Sequence, residues 1–219
     1  MQHIEQCKLI ASAVNDVWMK LGPSNEPLAL RFAHLASVLM LQNAGKQGAG
    51  LTGGQQQESL FRDMLVSSDS RFVEMSAGGI KDADYYFENY PLSHKTIGFS
   101  GSGDLALAWS KNGPTGLMRN EFLASMVIMS FRDPLSSGAL KGQPQGAYVI
   151  PLDYLRTNIQ FTSNNKTDSL ISAKQIASAM AYARQSRLFV PLMYRHGAGA
   201  GVRVSLWRSG VSPGIPPLD

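Results

Sequence analysis

The chain has 219 residues, of which 44% are hydrophobic and 16% charged, with a formal net charge of +4. A disordered chain would contain fewer apolar residues, so this composition predicts a folded domain with a sizeable core. The single cysteine, Cys7, cannot form an internal disulfide, which excludes a disulfide-stapled scaffold. We expect one globular domain over residues 1–208 and an extended or disordered tail over 209–219, which contains three prolines.

The first third of the chain is predicted to be helical. Apolar residues recur every three to four positions over 2–21, which is typical of an amphipathic helix. A second helix, apolar on nearly all sides, is expected to begin near Pro27, because proline suits the first helical turn. Residues 44–54 contain five glycines and are predicted to form a loop. A short helix is expected over 55–65.

The central part mixes less decisive patterns. Residues 82–90 combine acidic and aromatic side chains, which we interpret as a solvated acidic face with aromatic anchors. Residues 105–109 fit either a strand or a helix. The apolar run within 115–131 predicts a helix that ends before Pro134. The β-branched and aromatic residues of 147–152 predict a strand.

The last third is predicted to hold one helix and two strands. A polar loop is expected over 162–168, followed by an alanine-rich helix over 169–187. Two strands, 188–194 and 202–207, flank a glycine-containing loop that is long enough for an open hairpin. The resulting fold class is α+β and α-rich, with a helical N-terminal and central part, a small late β-hairpin or sheet, and an extended C-terminal tail.

Local nucleotide-binding and nucleophile motifs are incomplete in this sequence. Lys46 follows a glycine, but a P-loop would need a hydroxyl residue at position 47, which is glutamine. The glycines of 197–201 follow a predicted strand, but a strand rather than a helix is expected next, which argues against a dinucleotide fingerprint. The Gly-x-Ser-x-Gly pattern fails at Ser102, where its last glycine should stand.

Metal and cofactor sites are not predicted. The four histidines are scattered along the chain, and a metal site needs clustered ligands at fixed spacing. Asp82, Asp84 and Glu88 lie close together in sequence, but their segment lacks the glycine and ligand rhythm of a calcium loop.

Charge is distributed very unevenly along the chain. Between Ser169 and Leu218 there is no acidic residue, whereas there are six basic ones: Lys174, Arg184, Arg187, Arg195, Arg203 and Arg208. Guanidinium groups bind phosphate well, so these six are the candidate nucleic-acid-binding residues, with contacts directed to the backbone. In the alternative interpretation, these charges face the acidic N-terminal half of the fold or of a neighbouring subunit.

Three functional hypotheses follow. The favoured one is a structural or assembly subunit, of the coat, nucleocapsid or machine-component type, that self-associates and contacts a nucleic-acid backbone. It predicts a homo-oligomer or a larger complex, in the cytoplasm or a virion, without a membrane segment. A protein-binding accessory module without nucleic acid is the first alternative. The second is an enzyme with a site assembled from distant residues, which would show a concave pocket holding a buried polar cluster around His94, His196 or Asp153.

Overall fold

The computed structural model describes residues 2–23, 25, 27–43, 49–75, 83–97, 105–107, 124–130, 138–160, 162–164, 168–196 and 202–206. The described helices are α1 (Gln2–Met19), α2 (Leu28–Asn43), α3 (Ala49–Ser68), α4 (Leu152–Asn158) and α5 (Ala173–Gln185). The described strands are β1 (Phe72–Glu74), β2 (Tyr85–Phe87), β3 (Tyr90–Ile97), β4 (Leu105–Leu107), β5 (Ser125–Ser130), β6 (Gly146–Ile150), β7 (Thr162–Asn164), β8 (Asp168–Ile171), β9 (Phe189–His196) and β10 (Val202–Leu206).

A mixed sheet lies at the centre of the described fold. Its strand order is β1-β2-β3-β5-β6-β9, and β10 extends it at the β9 edge. Among the described pairs in this sheet, β3 and β5 are parallel and the others are antiparallel. A second, three-stranded sheet has the order β4-β8-β7. The parallel step requires a crossover between β3 and β5, so the chain leaves the sheet after Ile97 and returns at Ser125.

The predicted α-rich class is wrong, because strands rather than helices form the middle of the fold. The main error is the helix predicted over 115–131. Its second half forms β5, in which every residue is buried, while residues 115–123 lie outside the described part. A strand buried on both faces loses its polar alternation, and a short apolar run then resembles a buried helix.

The structure also differs from the predictions at several element boundaries. Helix α3 begins at Ala49, inside the stretch predicted as a glycine-rich loop, so the low helix propensity of glycine does not set its N-terminal boundary. The predicted polar loop over 162–168 contains β7, and the first residues of the predicted helix 169–187 belong to β8. Helices α1 and α2, strands β6 and β9, and the hairpin to β10 agree with the predictions. The predicted tail over 209–219 lies outside the described residues.

An aromatic cluster joins the three N-terminal helices. Trp18 of α1, Phe32 of α2 and Phe61 of α3 are buried, with ring centroids 5.4–5.6 Å apart. Burial of each large apolar side chain contributes roughly 1.5–3 kcal/mol. The ring of Phe61 also meets that of His94 on β3 at 4.7 Å, edge to face. The cluster therefore holds α3 in a defined register against β3.

Candidate active site at an open strand edge

Strand β3 has a backbone edge that its neighbour leaves unpaired. Pairing with β2 ends where Tyr85 faces Leu92, whereas β3 continues to Ile97. The opposite edge of β3 is paired with β5 over that whole length. Backbone N–H groups on the open edge beyond Leu92 therefore need other acceptors.

Two carboxylates supply those acceptors. Oδ2 of Asp84 accepts the backbone N–H of His94 at 2.6 Å and the hydroxyl of Ser93 at 3.3 Å. Oε1 of Glu58 accepts the backbone N–H of Thr96 at 3.0 Å. The two N–H groups are two residues apart, which is about 7 Å along a strand. Within the described part of the chain, the second oxygen of each carboxylate makes no hydrogen bond.

Local structure brings these carboxylates to the edge from different elements. Asp84 directly precedes β2, and its own N–H donates to the carbonyl of Leu92 at 2.8 Å, which continues the hairpin. Glu58 lies on α3, one helical turn before Phe61, whose ring contacts His94. Residues three apart on a helix share a face, so the packing of Phe61 also directs Glu58 to β3.

Lys95 adds a positive charge to the same place. It lies between the two residues that bond the carboxylates, and it is half-buried. Burial raises the pKa of Glu58 above its usual range, the nearby Lys95 opposes that rise, and the charge of Asp84 adds to it. The charge of Lys95 also helps to lower the pKa of His94. The four groups therefore lie within one electrostatic neighbourhood.

His94 is a neutral, buried histidine in this neighbourhood. Its side chain is 1% exposed, and burial lowers its pKa to about 3. Neither ring nitrogen has a hydrogen-bond partner among the described residues, and the same holds for Tyr85 Oη and Thr96 Oγ1. By strand alternation and register these three side chains lie on one face of the sheet. Buried polar atoms without partners are rare and mark sites that need explanation.

The donor set suits a hard divalent cation. No group of three His, Cys, Asp or Glu side chains that could hold a metal occurs among the described residues, so they form no closed zinc-type cage. Mg²⁺ is commonly bound by one or two carboxylates, with water and substrate phosphate completing the shell. Asp84 and Glu58 provide that number of carboxylates, and the hydroxyl of Ser93 lies beside Asp84.

The predicted basic residues lie elsewhere. Lys174, Arg184 and Arg187 are exposed, on α5 or just after it, and none forms an ion pair with a described carboxylate. Arg195 on β9 and Arg203 on β10 face each other in register. Nothing is described of the side chains of these last two, and Arg208 falls outside the described part of the chain.

The basic and acidic groups occupy separate parts of the sheet. Helix α5 packs on β6 and β9, which are two and three strands away from β3. At about 4.8 Å for each strand spacing, this separation is roughly 10–14 Å. The structure therefore does not bring Lys174, Arg184 and Arg187 to the carboxylate site, and phosphate binding by the six predicted residues stays a prediction.

Sequence reasoning missed the carboxylate site. The interpretation of Asp84 as part of a solvated acidic face is wrong, because it is half-buried and bonds the edge of β3. Glu58 was not singled out, since it lies 26 positions before Asp84 and no local spacing links them. Buried polar atoms lie together at His94, whereas the concave pocket that the enzyme hypothesis also requires stays a prediction. Asp153 is exposed, and the side chain of His196 is not described.

Comparisons with known proteins give one structural match. No family model matches the sequence, and no curated protein matches it. A solved restriction endonuclease in complex with substrate DNA is similar in structure, with a TM-score of 0.45 and 14% sequence identity. The similarity covers 68% of this chain and 76% of that chain. At this level of similarity, no activity is transferred from that protein.

These findings correct the favoured hypothesis from sequence. The hypothesis of a coat, nucleocapsid or machine-component subunit is withdrawn, because nothing in these comparisons supports it. Self-association has no support in these findings. None of the described helices is long and apolar enough to cross a membrane.

Proposed function

We propose that this chain hydrolyses phosphodiester bonds in nucleic acid at the open edge of β3, with a divalent cation as cofactor. The observation that carries the proposal is the convergence of Asp84, Glu58 and Lys95 from separate elements on one strand edge. The proposal rests on this geometry and not on the endonuclease neighbour.

The three side chains match the needs of phosphodiester hydrolysis. The reaction needs an activated water and stabilisation of the negative charge that develops on the phosphoryl oxygens. Asp84 and Glu58 would hold the cation through their free oxygens. The cation would supply Lewis-acid stabilisation and a more acidic water. The ammonium group of Lys95 would stabilise the phosphate charge and orient the attacking water.

Backbone contacts make the site rigid before substrate arrives. Each carboxylate is held by a strand N–H, so the catalytic geometry does not depend on a flexible loop. Positioning of this kind contributes to catalysis because the groups need little reorganisation during the reaction.

Nucleic acid is the substrate class that suits the charge of the chain. Lys174, Arg184 and Arg187 present exposed positive charge without described carboxylate partners. Such groups attract a phosphate backbone and impose little sequence preference. DNA and RNA both fit this description.

Cleavage of a circular plasmid and of a labelled single-stranded oligonucleotide tests the proposal. We expect the wild-type chain to cleave with Mg²⁺ and to stop when a chelator is added. Asp84→Asn and Glu58→Gln should each lower the rate by at least about 100-fold, because each removes a charge that holds the cation. Both substitutions keep an oxygen that accepts the strand N–H, so the fold should persist.

Asp153→Asn is the matched control, since Asp153 is an exposed carboxylate on α4 outside the site. It should cleave at the wild-type rate. Chelator-resistant cleavage would overturn the proposal, as would full activity of Asp84→Asn. So would the absence of cleavage on DNA and RNA with Mg²⁺ and with Mn²⁺.

A further inference from the structure

A cavity lies at the end of α5, away from the carboxylate site. It has a volume of about 370 Å³ and is lined by Ala181, Arg184, Gln185 and Phe189. Pockets that bind small ligands typically measure about 300–1,000 Å³. The lining combines an aromatic ring, a guanidinium group and an amide around one small side chain. These groups match the parts of a nucleotide. The ring can stack on the flat base, the guanidinium group can bind the phosphate, and the amide can bond to the polar edge of the base.

Phe189 provides a supported aromatic surface. Its ring is half-buried and packs on the ring of Tyr148, with centroids 4.4 Å apart and planes 32° from each other. Tyr148 is fully buried, so it backs Phe189 from the core. A ring held in this way can stack on a base without losing further conformational freedom.

The guanidinium group of Arg184 is available to bind a phosphate. It is exposed, and its described contact is a bond from Nη1 to Oε1 of Gln143 at 3.4 Å, near the limit for a hydrogen bond. Burial raises the pKa of the Tyr148 hydroxyl, and the positive charge of Arg184 acts in the opposite direction, so the guanidinium lies near that hydroxyl. No described carboxylate neutralises the guanidinium.

Arg187 occupies a backbone position that normally favours glycine. Its φ is +60°, and it ends α5 in a Schellman motif. The N–H of Leu188 donates to the carbonyl of Ala183 at 2.7 Å, and that of Arg187 donates to Arg184 at 3.3 Å. Glycine would fit this position without strain, yet the chain places an exposed guanidinium there.

We propose that this cavity binds one nucleotide of a single-stranded nucleic acid. The base stacks on Phe189, and the adjoining phosphate binds Arg184, which lines the cavity, and Arg187, which lies two residues before Phe189 in the chain. The choice of nucleic acid rests on the proposed function, but binding does not require cleavage. A single strand is specified because a base must be unstacked to lie on an aromatic ring.

Two variants separate base stacking from charge in a binding assay without Mg²⁺. The probes are a fluorescent single-stranded oligonucleotide and inorganic polyphosphate, which has charge but no bases. Phe189→Leu should weaken oligonucleotide binding by about 5- to 100-fold and leave polyphosphate binding unchanged. Arg187→Gly should weaken binding of both probes, and its Tm should equal or exceed that of the wild type, which excludes misfolding.

Arg31→Gln is the matched control, since Arg31 is an exposed cation on α2. It should bind both probes like the wild type. The inference would be overturned if Phe189→Leu and Arg187→Gly both bound the oligonucleotide with the affinity of the wild type. The inference would also be overturned if Phe189→Leu lowered the affinity for both probes equally while its Tm stayed unchanged. That result would indicate a purely electrostatic surface.

The assay also separates this inference from the proposed function. Binding that depends on Phe189 and Arg187, in a chain that never cleaves, refutes the nuclease and keeps the nucleotide site. Cleavage that depends on Asp84, with binding that is indifferent to Phe189 and Arg187, refutes the nucleotide site and keeps the nuclease.

Discussion

At the residue scale, His94 shows how burial sets the chemistry of a side chain. The imidazole lies between the rings of Phe61 and Tyr85, with the cations Lys95 and Arg62 near enough to disfavour protonation. Its pKa falls to about 3, so it is neutral at physiological pH. Because the imidazole is neutral, it forms no ion pair with the two carboxylates and does not oppose the binding of a cation to them.

The depressed pKa of His94 predicts acid sensitivity of the fold. The unfolded chain binds a proton near pH 6.5, whereas the folded chain does so near pH 3. The stability that this group contributes is therefore complete above pH 6.5 and is lost as pH falls toward 3. The loss approaches about 1.4 kcal/mol per pH unit within that window.

Urea unfolding at pH 7 and pH 4.5 measures this loss, with His94→Phe as the comparison. The substitution should reduce the pH dependence of the free energy of unfolding by about 2 kcal/mol. An identical pH dependence in both proteins would show that His94 is not buried in the neutral form.

Arg187 gives a second prediction at this scale, on stability alone. A residue other than glycine in the left-handed region costs about 1 kcal/mol. Arg187→Gly should therefore raise the free energy of unfolding by about 0.5–1 kcal/mol in chemical denaturation. Arg187→Ala keeps the strain and should bring no such gain. A destabilised Arg187→Gly variant would mean that the arginine makes a stabilising contact.

At the scale of elements, the candidate site depends on a mismatch in length between β2 and β3. The longer strand exposes N–H groups, and carboxylates from α3 and from the residue before β2 satisfy them. The same contacts hold both acidic groups at one edge of β3. The raised pKa of Glu58 is the electrostatic cost of that arrangement.

This arrangement predicts the pH dependence of cleavage. Glu58 must be ionised to hold a cation, so the Mg²⁺-dependent rate should fall as pH decreases through its raised pKa. At Mg²⁺ concentrations well below saturation, the midpoint should lie above the usual range for a glutamate, because the pKa of the metal-free site then sets it. Glu58→Asp, which keeps the charge on a shorter arm, should retain some activity, whereas Glu58→Gln should not. A pH-independent rate between pH 4.5 and 8 would contradict this role.

At the scale of the whole molecule, charge is divided between two parts of one sheet. Carboxylates converge near β3, while exposed cations lie on and after α5, which packs on β6 and β9. In the proposed function, this separation would let the basic region hold a polyanion while a phosphate reaches the acidic site with a cation. It also avoids neutralisation of one group by the other within the chain.

Salt dependence of nucleic-acid binding tests this division. Changing Lys174, Arg184 and Arg187 together to glutamine should reduce the slope of log affinity against log salt by about 2 for a single strand. Filter binding or fluorescence anisotropy at several salt concentrations gives the slope.

A variant with the same change in net charge provides the control. Lys8, Lys20 and Arg31 are exposed cations on or next to α1 and α2, and their joint change to glutamine should leave the slope nearly unchanged. Equal effects of the two triple variants would show that binding responds to net charge and not to the α5 region.

The sequence by itself determined the elements that carry a strong periodic or turn signal. The apolar stripe of α1, the proline before α2, the β-branched run of β6 and the late hairpin all act through neighbours in the chain. The excess of basic residues after Ser169 was also evident from the sequence, because it is a matter of composition alone.

Only the tertiary structure decided the centre of the sheet and the site. Strand β5 is buried on both faces, so its residues show no alternation that would separate a strand from a helix. Asp84 and Glu58 are distant in sequence, and they meet because Phe61 packs on His94 and β2 stops short of the end of β3. Such convergence is a property of packing between distant segments, which no local pattern encodes.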